Sequence, residues 1–126
     1  MNHTPVAIGL VLCEVVIVDD KTHNVTPVNC FSTRKLKEIP GAADFFVVAW
    51  LADGMGEMLV KVMVQRLDTL DEVFQVETRM RFDDLLKDKY FVARIRDCEF
   101  PVAGQFVVSL LVDGELVAHR KIRVHS

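Results

Sequence analysis

The sequence predicts an all-β protein, a single antiparallel β-sandwich of about seven to nine strands that spans residues 1–126. Three observations predict it. Valine alone accounts for 21 of the 126 residues, and β-branched side chains favour pleated, half-buried strands. Turn-forming residues recur at short intervals along the chain, which is typical of sandwiches and barrels. Finally, no segment carries a long helical repeat of the kind that the crossovers of a parallel sheet require.

Eight strands can be placed between the turns. They cover residues 6–18, 26–33, 45–52, 58–67, 74–82, 90–97, 105–112 and 115–124. The first is an apolar run that only Glu14 interrupts, and the charged segment 19–24 ends it. The second contains Pro27, which indicates a sheet edge because proline cannot donate a ladder hydrogen bond. Residues 34–44 then form a connection with a Pro-Gly pair.

The third to fifth strands carry the clearest patterns. Residues 45–50 are apolar on both faces, and residues 53–56 form a hairpin turn before the fourth strand, in which valines alternate with other residues. The fifth strand alternates over nine residues, a period of two that is typical of a half-buried strand. One face carries Phe74, Val76, Thr78, Met80 and Phe82, and the other carries Gln75, Glu77, Arg79 and Arg81.

The last three strands follow a loop or helical turn at residues 83–89. The sixth strand directs Phe91 and Ile95 inward and its arginines outward. The seventh and eighth strands are joined by Asp113 and Gly114, and an Asp-Gly pair between apolar runs is a strong hairpin signal.

Composition and charge exclude several classes of protein. Apolar residues make up 51% of the chain, which excludes intrinsic disorder because enough apolar surface is available for a core. The net charge is −3, whereas nucleic-acid binders present a basic face. The basic groups in segments 34–37 and 120–123 lack interleaved aromatic residues, so we expect them to be solvated and predict no nucleic-acid partner.

The cysteines and the first strand indicate a cytoplasmic protein. Cys13, Cys30 and Cys98 form no Cys-x-x-Cys pair and lie in apolar or strand-like settings, so we expect small buried side chains in a reducing compartment. A disulfide between Cys13 and Cys30 stays open. The apolar run Val6–Val18 is shorter than a membrane helix and no basic residue precedes it, so we expect a buried strand, neither a leader nor a membrane anchor.

No catalytic constellation can be recognised in the sequence. No serine lies in a nucleophile elbow, and the four histidines have no metal-ligand spacing. Cys98 lies between Asp97 and Glu99, and acidic neighbours disfavour its thiolate. Neither glycine-rich phosphate motif occurs. We therefore predict a protein that is not an enzyme and has no cofactor.

Acidic turns form the one constellation that points to a ligand. If the strands run up and down, the turns at 19–24, 53–57, 83–89 and 113–114 share one end of the sandwich. Their acidic residues are Asp19, Asp20, Asp53, Glu57, Asp83, Asp84, Asp88 and Asp113. Calcium takes about 6–8 oxygen ligands, and its candidate ligands are Asp19, Asp20, Asp53, Asp83, Asp84 and Asp113. Aspartate is equally typical of turns that bind no metal, because its carboxylate accepts hydrogen bonds from nearby backbone N–H groups.

The two ends of the chain add a resemblance. Residues 100–106, Phe-Pro-Val-Ala-Gly-Gln-Phe, lead into an alternating strand, the Asp113-Gly114 turn and a second alternating strand. With the apolar first strand and its charged turn, this pattern resembles a bacterial family of unknown function with a small immunoglobulin-like β-sandwich. The resemblance implies an immunoglobulin-like fold and assigns no catalytic residue. The chain departs from antibody domains because no cysteine pair brackets Trp50 in the usual order.

Three functions follow as expectations. The first is a non-enzymatic interaction or assembly module that binds a protein partner or associates with itself, because the apolar excess and the sheet edges offer contact surfaces. The alternative is a calcium-dependent binding module that uses the acidic turns, and the third is a small enzyme with a site between the sheets. The segments Val6–Val18 and 45–50, apolar on both faces, are expected to be central strands or partner surfaces.

Overall fold

The alternating segments form strands in the computed structural model, which describes residues 2–126. Nine strands lie in this range, and none of its residues is helical. The strands are β1 (Val6–Val18), β2 (Val25–Cys30), β3 (Thr33–Lys35), β4 (Gly41–Ala52), β5 (Gly56–Arg66), β6 (Glu72–Phe82), β7 (Lys89–Phe100), β8 (Gly104–Val112) and β9 (Glu115–His125). No helix in this part of the chain is long and apolar enough to cross a membrane.

The strands form two sheets, which confirms the predicted all-β sandwich. Strands β2, β1, β4 and β7 form a four-stranded sheet in that order, and β3, β9, β8, β5 and β6 form a five-stranded sheet. Neighbouring strands are antiparallel, apart from β3, which pairs with β9 in parallel. The sequence predicts no separate strand here, since Thr33 ends the predicted second strand and Arg34 and Lys35 fall in the predicted connection. Three residues are too few to show a period of two.

The core lies between the two sheets and is built from the inward residues of the alternating strands. Phe45 and Ile95 come from the four-stranded sheet, and Phe106 and Val62 come from the five-stranded sheet; all four are 2% exposed or less. Phe106 also meets Phe100 edge to face, with ring centroids 4.9 Å apart, an arrangement that aromatic pairs favour. The long strands are therefore held by apolar packing across the sheets.

The two segments that are apolar on both faces become β1 and half of β4, the second and third strands in the order of the four-stranded sheet. Their inner faces belong to the core. On the outer face of this sheet, Val48 is only 5% exposed, whereas Trp50 is 41% exposed. The prediction of a central strand is therefore confirmed for residues 45–50, which lie between β1 and β7. β1 has a neighbour on both sides only near Cys13, because it pairs with β4 up to this residue and with β2 from it onward. Part of the outer face stays open to solvent.

A hairpin arm, residues 15–28, extends from the four-stranded sheet. It begins where Asn29, with a φ of 60°, interrupts the extended conformation of the β2 strand. The Asn29 side chain donates a hydrogen bond of 2.8 Å to the Glu14 carboxylate on the facing strand. Asparagine tolerates this left-handed conformation better than most residues. Beyond this point β1 pairs with β2 alone, because its pairing with β4 ends at Cys13.

Candidate functional site

The predicted acidic turns lie at one end of the sandwich. The Leu59 N–H donates to the Asp113 carboxylate at 2.9 Å, and Gly56 pairs with Phe82 beside the turn that follows β6. The turn between β1 and β2 reaches the same end, since His23 lines one cleft together with Asp88. The expectation that these turns share an end is therefore met by the structure.

The carboxylates of these turns bind their own backbone and neighbouring arginines. Asp19 Oδ1 accepts hydrogen bonds of 2.9 Å from the N–H groups of Lys21 and Thr22, and these bonds lower the pKa of Asp19. Asp84 accepts from the N–H of Leu86 at 2.9 Å. Asp83 forms an ion pair of 2.7 Å with Arg81, and both side chains are exposed.

The remaining candidates also lie in turns. Asp20 is exposed in the turn after β1, and Asp53 has a φ of 60° in the turn between β4 and β5. Within residues 2–126, no three His, Cys, Asp or Glu side chains form a group that could hold a metal ion. The structure thus brings the turns together but not the carboxylates Asp19, Asp20, Asp53, Asp83, Asp84 and Asp113. The calcium-binding alternative stays a prediction.

Two candidate nucleophiles, Cys98 and Ser109, occupy unreactive settings. Burial raises the pKa of Cys98 to about 12, which leaves a thiol at neutral pH. Ser109 of β8 lies directly opposite His119 of β9, a juxtaposition that depends on strand register and carries no local sequence signal. Among the hydrogen bonds of residues 2–126, none joins these two side chains or orients the His119 ring. This pair therefore lacks the geometry of an activated nucleophile.

Cys13 and Cys30 are cross-strand neighbours in β1 and β2, and both are free thiols. The Phe31 N–H donates to the Leu12 carbonyl at 2.9 Å, so the adjacent cysteine pair is a non-hydrogen-bonded pair of the ladder. Such pairs have Cα atoms about 4.5 Å apart, a separation that a disulfide can span. Burial, and then the neighbouring Cys30, raise the pKa of Cys13, whereas Cys30 is exposed.

We predict that oxidised glutathione converts this pair into a disulfide within one chain. The exposed Cys30 reacts first and releases one glutathione, and Cys13 then displaces the second from the mixed disulfide. Mass spectrometry of the intact protein should show a loss of two hydrogens, with Cys98 still a free thiol. The Cys13→Ala variant serves as the control, because its Cys30 has no partner thiol and can form only the mixed disulfide with glutathione. A stable glutathione adduct on the unmodified sequence would contradict the prediction.

An aromatic cleft lies on the outer face of the four-stranded sheet, beneath the hairpin arm. Its volume is about 280 Å³, and its lining comprises Gly9, Leu10, Val11, Val25, Pro27, Val48, Trp50 and Tyr90. Trp50 stacks on Tyr90 with ring centroids 5.6 Å apart and donates its indole N–H to Asp88 at 3.2 Å. The arm therefore partly covers the sheet at this point.

The arm itself also exposes apolar side chains on its solvent side. Val15 is 50% exposed, Ile17 57% and Val28 37%. Pro27 interrupts the free edge of the arm because it has no N–H to donate. The arm is therefore an apolar surface whose edge is poorly suited to pairing with a further strand.

The free edge of β6 is the longest regular edge of either sheet. β6 pairs with β5 without interruption from Phe74 to Phe82, and it contains no proline. The other free edges are shorter, and they carry devices that commonly prevent edge pairing. These devices are Pro27 and Asn29 in β2, the three-residue length of β3, and in β7 the left-handed Asp97, with a φ of 53°. The stretches of β1 and β9 that β2 and β3 leave uncovered are each interrupted by a bulge.

The register of β5 shows which groups of β6 are free. Leu59 of β5 directs both its N–H and its C=O to Asp113, away from β6. Since hydrogen-bonding direction alternates along an antiparallel pair, Val60 must bond to its partner Thr78 on β6. The neighbouring residues Glu77 and Arg79 therefore direct their N–H and C=O groups out of the sheet, toward solvent.

Several solved structures are similar to this chain at 10% sequence identity. No family model and no curated protein matches the chain. An immunoglobulin-like protein from Pseudomonas aeruginosa is 10% identical, and the match covers 97% of each chain with a TM-score of 0.42. An immunoglobulin-like bacterial protein is thus among the structural neighbours, whereas membership of a family of unknown function stays a prediction.

Two enzymes share the likeness over part of their length. An alkylpurine DNA glycosylase from Pseudomonas fluorescens is 10% identical, with a TM-score of 0.49, and the match covers 93% of this chain and 30% of the glycosylase. A β-glucosidase from Listeria innocua is 10% identical, with a TM-score of 0.46, and the match covers 75% of this chain and 15% of the glucosidase. Most of each enzyme lies outside the matched region.

Proposed function

We propose that this chain is a non-enzymatic interaction module that associates with itself through the free edge of β6. The observation that carries the proposal is the long, regular edge along which alternate residues, among them Glu77 and Arg79, direct their backbone N–H and C=O groups to solvent. Such an edge is a template for another strand. The settings of the acidic and thiol groups support a role other than catalysis, because the acidic groups serve turns and ion pairs and Cys98 is held protonated.

The inner face of β6 adds an apolar contact surface. Val76 and Thr78 lie opposite Val62 and Val60 of β5, which are fully buried, so all four point to the same side of the sheet. Yet Val76 is 38% exposed, so its side chain is not enclosed between the two sheets. Together with the half-buried Phe74 and Met80, Val76 forms an apolar overhang that a second molecule would cover.

We predict reversible self-association that depends on this overhang. Sedimentation velocity from low micromolar to near-millimolar concentration should show a shift from monomer to dimer. Val76→Lys should keep the protein monomeric, because it places an ammonium group on the surface to be buried. Ile17→Lys is the matched control on the hairpin arm and should leave the dimer intact.

Two results would contradict this prediction. A protein that stays monomeric at every concentration would overturn the proposed self-association. A dimer that Ile17→Lys dissociates and Val76→Lys does not would assign the interface to the hairpin arm and overturn the role of β6.

A further inference from the structure

We infer that two copies of the chain pair through β6 as antiparallel strands, in the register that places Thr78 on the two-fold axis opposite Thr78 of the second copy. This inference rests on the proposed self-association and adds its geometry. In this arrangement, backbone hydrogen bonds between the two β6 strands join the two five-stranded sheets into one continuous sheet. A two-fold interface uses the same surface on both copies, so β6 must be complementary to itself, and the register centred on Thr78 meets this condition.

Charge complementarity selects the register. With Thr78 on the axis, Glu77 lies opposite Arg79 of the second copy, and Arg79 lies opposite Glu77 of the second copy. The next pair on this face joins Gln75 to Arg81. Opposite charges that face each other across strands stabilise the pairing, and the side chains of Glu77 and Arg79 are exposed in the single chain.

Neighbouring registers bring like charges together. If the axis moves by one residue to Glu77, two glutamates face each other, and if it moves to Arg79, two arginines do. Like charges directly opposite one another destabilise a strand pair. The alternation of sign along this face of β6 therefore favours the Thr78 register over both neighbours.

Backbone groups agree with this register. The free N–H and C=O groups of Glu77 and Arg79 would form the hydrogen-bonded pairs, and Thr78 would form a non-hydrogen-bonded pair with its copy. The ladder ends at Arg81, because the ammonium group of Lys89 donates a hydrogen bond to the Arg81 carbonyl. Pairing is thus confined to the middle of β6, where no other group of the described chain occupies the edge.

The side chains on the inner face of β6 are also complementary between the two copies in this register. In this register Val76 lies opposite Met80 of the second copy, so the apolar overhang of each copy covers that of the other. Thr78 faces Thr78, a cross-strand pair that is favourable in sheets. The inner face therefore buries apolar surface while the outer face pairs opposite charges.

Cross-linking tests the register directly. The exposed Cys30 is first replaced by alanine, so that only buried native cysteines remain. Thr78→Cys in this background should give a dimer on non-reducing gels after treatment with oxidised glutathione, because Cα atoms of a non-hydrogen-bonded pair lie about 4.5 Å apart. One thiol from each copy is oxidised, and two molecules of reduced glutathione are released.

Val76→Cys in the same background is the matched control. Its copies would lie four residues apart along the pair, about 13 Å, so it should form no cross-link with itself. A mixture of Val76→Cys and Met80→Cys proteins should cross-link to each other. A protein that sediments as a dimer but cross-links through Val76→Cys and not through Thr78→Cys would overturn the register while the proposed self-association stands. A parent protein that sediments only as a monomer would overturn both.

Exchanging the charges of Glu77 and Arg79 tests the register a second time, without an introduced cysteine. Glu77→Arg should weaken the dimer by about tenfold, because two like-charged pairs replace two opposite ones. Adding Arg79→Glu to Glu77→Arg should restore the dimer, since the pairs are then merely exchanged. Thermal unfolding at monomeric concentration measures the separate effect on contacts within the chain, where Glu77 faces Lys61 and Arg79 pairs with Glu57 at 3.4 Å. A double variant as weak as the single one would contradict the register.

Discussion

Glu77→Pro is expected to abolish self-association while the monomer stays folded, and Thr78→Pro is expected to destabilise the monomer itself. The two positions are adjacent on an exposed strand, so their opposite outcomes depend only on backbone direction. The Glu77 N–H points out of the sheet and has no partner among residues 2–126. Proline is tolerated where a strand N–H faces solvent, but it removes the donor and places its ring where a second strand would pair.

At position 78 the N–H group points into the sheet. Thr78→Pro removes the hydrogen bond to the Val60 carbonyl, and Val60 is fully buried. Leaving a buried carbonyl without a donor costs about 1–3 kcal/mol, and the proline ring adds a steric cost against β5. Thr78→Ala is the matched control, because it keeps the N–H and should change the stability of the monomer little.

The measurement combines sedimentation with urea unfolding of each variant. Glu77→Pro should sediment as a monomer at the highest concentration and keep most of its free energy of unfolding. The free energy of unfolding of Thr78→Pro should fall by at least the cost of leaving the Val60 carbonyl without a donor. Equal destabilisation by the two prolines would show that both N–H groups are used within the chain, which would remove the free edge on which the proposed function depends.

Phe106→Ala is expected to cause the largest loss of stability among the substitutions considered, about 3–5 kcal/mol. The ring is fully buried between the two sheets and packs edge to face against Phe100. Its removal leaves a cavity that neighbours on extended strands cannot fill, because each is held in its own ladder.

Phe46→Ala makes the same truncation outside the core. Phe46 is half-buried on the outer face of the four-stranded sheet, beside Arg94, so its loss exposes less apolar surface and leaves no enclosed cavity. Urea unfolding at monomeric concentration compares the two variants. Similar losses for both would mean that the space between the sheets does not dominate the stability of the fold.

Much of the fold follows from local patterns in the sequence. The alternation in β6 and the Asp-Gly turn between β8 and β9 predict strands that the structure confirms, because a period of two and a tight turn are local properties of the chain. The short β3 is not predicted as a strand of its own, since its three residues pair with β9 through contacts distant in sequence. The bend at Asn29 carries no pattern either, because a single left-handed residue leaves the surrounding apolar run unchanged.

The candidate sites, like the fold, could be predicted from the sequence only in part. The gathering of the acidic turns follows from strand direction and was expected, but the direction of each carboxylate depends on local N–H groups such as those of Lys21 and Thr22. The free edge of β6 could not be predicted, since sheet order depends on pairing between distant segments. The alternating charges of β6 are visible in the sequence. They indicate a register for self-pairing only once β6 is known to be an edge strand.

The blunted edges bear on how far assembly can proceed. In the proposed dimer each copy would use its β6 edge once and reciprocally, which closes the point group at two subunits. Further growth would require another free edge to accept a strand. Pro27, the shortness of β3, the turn of the backbone at Asp97 and the bulges in the uncovered stretches of β1 and β9 oppose this. The protein would thus dimerise through one strand edge and still be protected against fibre formation, to which unpaired strand edges otherwise lead.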